Sequence, residues 1–447
     1  MYQLLMRLLP KWKGKVFLIL LLSILFRFFI LFEFTPNCCG SEEGTYHSIA
    51  KHIVYENKFI YTHLDDQRNW TEVVYGAKPP FYPFFIAFIY KIFGANYWWV
   101  RVIQIVIVSS LTSFFIFKLA RKSGSEMIAL TALIIFAFFW ETAHMSVVLL
   151  SENLYWLLLV LYMYTVLLAI DKPRRKFFAI SGILLGLIVL VRPPSLTFLV
   201  PTFLVLVKFK GFKKTIRGML FLILFLVATL TPWTLRNYNV YKQFVFIYTD
   251  GAVNMWMGNF KGSGGTYNPP MADIPEQIPA LTAKGPLQEI ERDKFYFNNA
   301  LTYMLEYPAE ALDTAVRKTF ITFFTYRAYV LNTTSERGIW PIARPKSLGI
   351  DAYWEFIVSF EYAAVSLFFF AGALLILVNK KTKPLYALLL ALFAWHLISI
   401  AVTHSEPRYV THLYAFMIPI AGGPALQFIR LLFPQSRSWF FSNRHVD

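Results

Sequence analysis

The sequence predicts an all-α polytopic membrane protein with a bundle of about ten transmembrane helices. Three observations carry that reading. Of 447 residues, 57% are apolar or aromatic and only 15% are charged, against about 45–50% and about 25% in an ordinary soluble domain. Mostly apolar stretches of about 20 residues, the length that crosses a hydrocarbon core, recur along the chain. The lysines and arginines sit in short clusters between those stretches, so the net charge of +17 reads as membrane topology and not as nucleic-acid binding. Soluble, disordered and collagen-like classes are excluded.

Taken in order, the spans fall at about 14–34, 97–118, 126–143, 150–170, 177–191, 195–208, 216–234, 356–378, 384–403 and 409–430, with the fifth and sixth conspicuously short. The first follows Lys11, Lys13 and Lys15. It is too long for a signal-peptide apolar region and lacks a small-residue cleavage site, which makes it a retained anchor. With the N-terminus cytoplasmic, basic clusters fall on one side of the membrane at Lys118 to Lys122, Lys172 to Lys176, Lys208 to Arg217, and Lys380 to Lys383. The short opposite loops hold only Arg192 and Arg408. That alternation favours an even number of spans with both termini inside.

Two long segments then lie on the outer face, about 35–96 and about 235–355. They divide the chain into an N-terminal membrane module (1–234), an outer segment (235–355), and C-terminal helices with a short tail (356–447). In the first loop, 46–60 and 81–93 carry apolar residues at roughly helical spacing and read as amphipathic helices at the membrane surface. In the outer segment, 286–307 and 308–324 are helix-like, whereas 258–279 is rich in Gly, Asn and Pro and reads as a mobile loop. No internal repeat is visible, which counts against transporters built from duplicated halves. Cys38 and Cys39 are the only cysteines; adjacent, they give no disulfide framework. The triplets beginning at Asn69 and Asn332 fit the glycosylation pattern, which has meaning only in a eukaryotic secretory setting.

On this topology the unusual polar residues collect on one side. They are Ser41, Glu42 and Glu43; Lys78, Pro79 and Pro80; Glu141, His144, Ser151 and Glu152; Arg192, Pro193 and Pro194; Arg236 and Asn237; and His404, Glu406, Arg408 and Tyr409. Carboxylates and guanidinium groups converging at the water boundary suit an anionic, partly membrane-embedded ligand, with the carboxylates available as bases. Each also has a plain structural reading. The paired glutamates favour a helix N-terminus, the prolines suit a first helical turn, Ser151 to Asn153 fit a cap, and the arginines can snorkel. Glu152 is the most informative, since a charge beside an apolar span is expensive and tends to be functional. His144 and His404 lack metal-ligand spacing.

At these residues the sequence resembles the membrane glycosyltransferases with the C-type (GT-C) fold, in particular the group of protein O-mannosyltransferases and the lipid A aminoarabinose transferase. That family opens its first outer loop with an acidic pair followed by an aromatic, matched by Glu42, Glu43 and Tyr46. Its Lys/Pro-Pro element and aromatic helix look like Lys78 to Tyr82 running to Phe93 and Gly94. Its second-loop acidic residue corresponds to Glu152. Arg192 with its two prolines, Pro232 to Asn237, Gly258 with Asn259, Tyr307 and Pro308 with Lys318, and Glu406 to Tyr409 follow in order, so the match spans about 15–425. The family usually has Asp at the first acidic position, and the extra methylene here leaves open which of Glu42 and Glu43 reaches the acceptor. The chain is also shorter than the larger members, with no large soluble domain beyond about residue 430.

The resemblance implies a GT-C-like bundle and transfer of one sugar from a polyprenyl phosphate carrier to an acceptor hydroxyl on the non-cytoplasmic face, by inverting displacement, in a bacterial inner membrane. A phosphate leaving group needs cationic stabilisation rather than a general acid, while the acceptor hydroxyl needs a base. By analogy Glu42 is the expected base, Glu43 assists or holds geometry, Glu152 orients the acceptor or a metal, and Lys78, Arg192, Arg236 and Arg408 hold the lipid phosphate. Tyr82, His404 and Tyr409 complete the expected substrate-binding set. The cofactor is unknown, since a divalent metal and none fit equally well; the acceptor is a lipid, a glycan or a protein. The rival class is a transporter or flippase for a lipid-linked saccharide, which would grip phosphate with the same arginines but needs no base and should place ionisable groups near mid-bilayer. A third reading is an assembly or sensor subunit.

Overall fold

The computed structural model describes residues 12–34, 41–64, 70–76, 78–265, 285–324, 350–379, 381–405 and 407–432. Cys38, Cys39, Asn69, Asn332, Glu406, most of the Gly-rich loop and the tail after Leu432 lie outside the described residues.

The first element among the described residues is α1 (Trp12–Phe34). The first outer loop forms α2 (Ser41–Glu56), a small hairpin of β1 (Tyr61–Leu64) and β2 (Trp70–Val74), and α3 (Phe81–Phe93). Helix α3 has the bounds expected from the apolar spacing, whereas α2 starts and stops four to five residues before the expected 46–60; the antiparallel hairpin, with Tyr61 opposite Val74, is an addition. A single rod follows, made of α4 (Tyr97–Ile103), a π-helical turn (Gln104–Ser109) and α5 (Ser110–Arg121). Next come α6 (Glu126–Phe138), the short α7 (Trp140–His144) and α8 (Glu152–Asp171). Then α9 (Arg175–Val189), a 3-10 turn (Pro193–Phe198), α10 (Leu199–Lys210) and α11 (Phe212–Tyr241) lead to the outer segment. That segment contributes α12 (Gly251–Met257), α13 (Pro286–Glu306) and α14 (Pro308–Phe324). The chain closes with α15 (Ile350–Val378), α16 (Pro384–Val402), a 3-10 turn (Pro407–Leu413) and α17 (Tyr414–Leu432).

Among the described residues seven helices are long and apolar enough to cross a membrane, so the count of ten is not confirmed. The other three expected spans form helices of 13, 15 and 12 residues, about 18–23 Å long against a core of about 30 Å. In the third, the break has a local cause. Phe139 is extended, with ψ 120°, and the buried Arg27 of α1 reaches across to donate to the carbonyls of Ala137 (2.7 Å) and Phe136 (3.4 Å). A guanidinium thereby satisfies carbonyls that a helix end leaves orphaned.

Burial follows the hydrophobic pattern. Helix α8 is apolar nearly all round and is enclosed on almost all sides, as such a helix must be. By contrast α11 and α15 turn Leu220, Leu224, Phe360 and Leu367 outward, which is the behaviour of helices at the lipid boundary. Contact between α9 and α11 is close because Gly182 lies against the Leu222 carbonyl, where a Cβ would sit only 2.2 Å from the oxygen; small residues let membrane helices approach in this way.

Candidate active site

The starts of α2 and α8, the loop before α3, the turn after α9 and the 3-10 turn before α17 bring together side chains from five distant stretches. Glu42, in the first turn of α2, is held between two cations. Lys78 Nζ donates to its Oε1 at 3.0 Å and Arg408 Nη1 to its Oε2 at 2.5 Å. Burial by itself would raise this carboxyl, but the charges of Arg408 and Lys78 overcome that effect and hold it well below the ordinary carboxylate value. Burial likewise works against the Lys78 ammonium, and Glu42 reverses it, pushing its pKa up. The Lys78 Nζ also stands 5.7 Å from the centre of the Tyr46 ring, a cation–π distance.

A second pair lies alongside. Arg192 Nη2 donates to Glu152 Oε1 at 2.8 Å, and His412 Nε2 is 3.6 Å from the same oxygen. The two pairs form one charge cluster, because Arg192 feels Glu152, Tyr46, Glu42 and Arg408. Each of these cations retains partial exposure, 25–30% for the side chains of Lys78, Arg192 and Arg408, and Glu42 is 21% exposed, while Glu152 is 2% exposed. The cations and Glu42 therefore reach the open side of the cluster together, with Glu152 beneath Arg192.

Glu43 points the other way. It is buried, accepts the Leu149 N–H at 2.7 Å, and lies 3.8 Å from the fully buried Arg101. Burial raises its carboxyl, and Arg101 with the Leu149 N–H offsets this only in part. Its contacts tie the start of α2 to the 145–150 turn, so Glu43 fixes the direction in which Glu42 faces.

The supporting shell explains why Lys78 is available. Glu289 of α13 accepts from the backbone N–H of Tyr75 (2.7 Å) and Gly76 (3.1 Å), from Tyr241 Oη (2.9 Å) and from Thr249 Oγ1 (2.6 Å). Gly76 is required there, since a Cβ would lie 2.4 Å from Tyr241 Oη. On the other side, Phe81 N–H donates to the Leu190 carbonyl at 3.0 Å, joining the Lys78 strap to the turn that bears Arg192. Asp250 borders this strap; its carboxyl is raised by burial, with Lys78 and Arg292 opposing.

The end of α16, from which the chain leads on to Arg408, is anchored by the outer segment. Lys318 Nζ donates to Asn259 Oδ1 (2.8 Å) and to the Ala401 carbonyl (3.0 Å), while Asn259 Nδ2 donates to the Val402 carbonyl (2.8 Å). Together they cap the end of α16, whose last carbonyls would otherwise lack partners. Thr322 and Ser405 join their hydroxyls at 2.8 Å. Gly258 packs so closely on the Thr403 carbonyl that a Cβ would be 2.2 Å from it.

Of the residues expected from the sequence, Glu42, Lys78, Glu152, Arg192 and Arg408 are brought together. Tyr409 and His404 adjoin them, with the Tyr409 hydroxyl 2.8 Å from His404 Nε2 and His404 Nδ1 3.1 Å from the Asn254 carbonyl. Two others are placed in the frame. Tyr82 is buried and donates to Gln104 Oε1 at 2.7 Å. Arg236 donates to the carbonyls of Phe59 (2.8 Å) and Tyr75 (3.1 Å) and lies over Trp233, beside the strap and not against Glu42. Glu141 accepts from the Tyr414 hydroxyl within the helix bundle. No group of three or more His, Cys, Asp or Glu side chains suited to a metal ion occurs among the described residues.

Comparison with known proteins bears directly on this arrangement. Residues 77–234, which carry Lys78, Tyr82, Glu152 and Arg192, match the family described as dolichyl-phosphate-mannose-protein mannosyltransferase. No curated protein sequence matches the chain. Among solved structures, the archaeal oligosaccharyltransferase AglB from Archaeoglobus fulgidus, in complex with an inhibitory peptide and a dolichol-phosphate, is 15% identical and superposes with a TM-score of 0.55 over 97% of this chain and 52% of its own. The apo form of the oligosaccharyltransferase from that organism gives 0.55 at 14% identity, over 97% and 53%. The fold is that of the C-type glycosyltransferases.

The chain spans about half the length of those two GT-C structures. ArnT from Cupriavidus metallidurans, bound to undecaprenyl phosphate, aligns more loosely, at a TM-score of 0.42 and 13% identity over 93% of this chain and 78% of its own. The expected resemblance to GT-C glycosyltransferases therefore holds at the level of fold and of a mannosyltransferase-family region. Several supporting residues escaped the sequence reading. Gln104 donates from its amide to the carbonyls of Ser146 (3.2 Å) and Val148 (2.7 Å) while accepting from Tyr82. It sits in the π-helical turn, a distortion that recurs at functional sites. Arg101 and Gln104, two polar residues one turn apart in an apolar span, were the available signal. Nothing local marks Glu289 or His412.

Proposed function

We propose that the chain is a membrane glycosyltransferase that moves a single sugar from a polyprenyl-phosphate-linked donor to an acceptor hydroxyl on the non-cytoplasmic face, by inverting displacement with Glu42 as base. The observation that carries this reading is the clamp of Lys78 and Arg408 on Glu42, set beside the Glu152–Arg192 pair. Partly exposed cations beside an accessible Glu42 and a buried Glu152 match what a lipid phosphate and a reacting hydroxyl require. The family matched over residues 77–234 and the dolichol-phosphate held by the archaeal relative support a polyprenyl phosphate as the ligand.

In the reaction the acceptor oxygen forms a bond to the anomeric carbon from the face opposite the leaving group. The carbon–oxygen bond to phosphate breaks with its electron pair on the phosphate oxygen, and Glu42 takes the hydroxyl proton. Arginine and lysine offset the charge growing on the phosphate. Without donor, Glu42 is a poor base, because both cations hold it ionised and occupied. A phosphate arriving at Arg408 and Lys78 competes for the same N–H groups. Glu42 is then released and its proton affinity rises, so the base becomes competent once the donor is seated. Glu152 keeps Arg192 in place and orients the acceptor.

The test is transfer from a synthetic polyprenyl-phosphate sugar by purified protein. Glu42→Gln should lose transfer while remaining folded. Normal turnover by Glu42→Gln, Glu43→Gln and the double variant would refute the assignment.

A further inference from the structure

The outer-segment helix α14 buries Thr314, Lys318 and Thr322 on one side, with Lys318 and Thr322 bonded to the end of α16 and its loop. Its other side changes character along its length. The earlier turns carry the exposed ion pair of Asp313 and Arg317 at 2.6 Å, and the last turns, winding round to the same side, carry Phe320 and Phe324. With Leu312 and Val316 these form an apolar stripe at four-residue spacing, in which Leu312, Val316, Phe320 and Phe324 are exposed by 68, 50, 58 and 73%.

The end of this helix does not sit above the membrane-spanning helices; it runs alongside them. The Phe323 ring lies 5.6 Å from that of Phe370 and 6.1 Å from that of Phe393. Phe393 is in the middle of the candidate span Pro384–Val402, and Phe370 is well inside the candidate span Phe356–Val378. The Phe323 carbonyl, a helix-end acceptor, takes the Tyr362 hydroxyl at 2.8 Å, which is the kind of partner a backbone group needs where water is absent. On the flanking span, Phe356, Phe360 and Leu367 are also turned outward, each by more than 60%. The exposed apolar end of α14 is thus docked, through Phe323, on a candidate span that itself turns apolar side chains outward.

We infer that the Phe320 and Phe324 end of α14 is embedded in the bilayer leaflet on the side of the charge cluster, with acyl chains as its partner, although α14 is not a spanning helix. The same helix thus has lipid on one side and, through Lys318 and Thr322, the loop leading to Arg408 on the other. Amphipathic helices that lie in an interface bury one apolar face in this manner; here the burial is graded, deepening toward Phe324.

The test places single cysteines at positions 313, 317, 320 and 324 in a Cys38→Ser, Cys39→Ser background, labels each with bimane, and reconstitutes the full chain in phosphatidylcholine vesicles with or without brominated acyl chains. Phe320→Cys and Phe324→Cys should each be quenched several-fold by the brominated lipid, and Asp313→Cys and Arg317→Cys by aqueous iodide instead. Either Phe position suffices if the other variant fails to fold. Quenching of both by iodide would overturn the inference. So would protection of both from either quencher, which would mean that a second copy or residues 325–349 cover the stripe. None of these outcomes depends on catalytic activity, so a failure here is separate from a failure of the proposed transfer reaction.

Discussion

Arg408 donates to Glu42 across 366 positions of sequence, at 2.5 Å. The pair joins the loop before the last helix to the first turn of the first outer loop, with Lys78 on the second carboxylate oxygen. On the proposed reading the guanidinium serves the carboxylate only until a lipid phosphate claims it.

Arg408→Ala should therefore weaken donor binding more than it slows bound-state chemistry. Loss of one charge-assisted contact predicts a fall in polyprenyl phosphate affinity of roughly 10–100-fold, equivalent to about 1.5–3 kcal/mol, with a smaller change in kcat. Equilibrium binding and single-turnover transfer separate the two effects.

Glu42→Gln and Glu43→Gln should fail differently. Losing the base predicts a drop of roughly 10²–10⁴-fold in transfer with normal folding. Glu43→Gln instead leaves Arg101, which is fully buried, without its charge partner. That should cost about 3–5 kcal/mol of stability, visible as earlier thermal unfolding in detergent, with activity reduced less per folded molecule.

The pH dependence carries a sign. Glu42 is held below its ordinary value in the folded protein, so its clamp contributes stability above the unfolded-state value of about 4.3. That contribution is lost as pH falls through the depressed folded-state value. Arg408→Ala should shift acid unfolding to higher pH. In catalysis, donor binding loosens the clamp, so the acid limb of kcat should lie at higher pH than that of kcat/KM; coincident limbs would contradict the release of Glu42.

Lys318 should act through Arg408. Lys318→Met removes the contacts to Asn259 and the Ala401 carbonyl and should lower polyprenyl phosphate affinity in the wild-type background but little in Arg408→Ala. A double-mutant cycle on binding measures that coupling; additive effects would confine Lys318 to stability.

Much of this architecture was legible because lipid imposes a simple length and polarity code. The seven long helices, α2, α3, α13 and α14 follow from apolar runs and helical spacing. What the code does not contain is direction. Glu42 and Glu43 are neighbours in sequence and in chemistry, yet one faces Arg408 and the other Arg101, a difference set by Leu149 and Lys78 from elsewhere in the chain. Tyr82 and Arg236 carry side chains suited to a ligand, but the first is spent on Gln104 and the second on backbone carbonyls. Short helices such as α9 and α10 were marginal by length alone, and the break at Phe139 depends on an arginine more than a hundred residues earlier.

The most direct test is the affinity of purified, folded Glu42→Gln for polyprenyl phosphate. If Glu42 competes with phosphate for Arg408 and Lys78, the variant should bind the lipid phosphate more tightly than wild type, by up to roughly tenfold, while transferring no sugar. Weaker or unchanged binding would contradict the account, since the carboxylate would then not occupy the place of the phosphate.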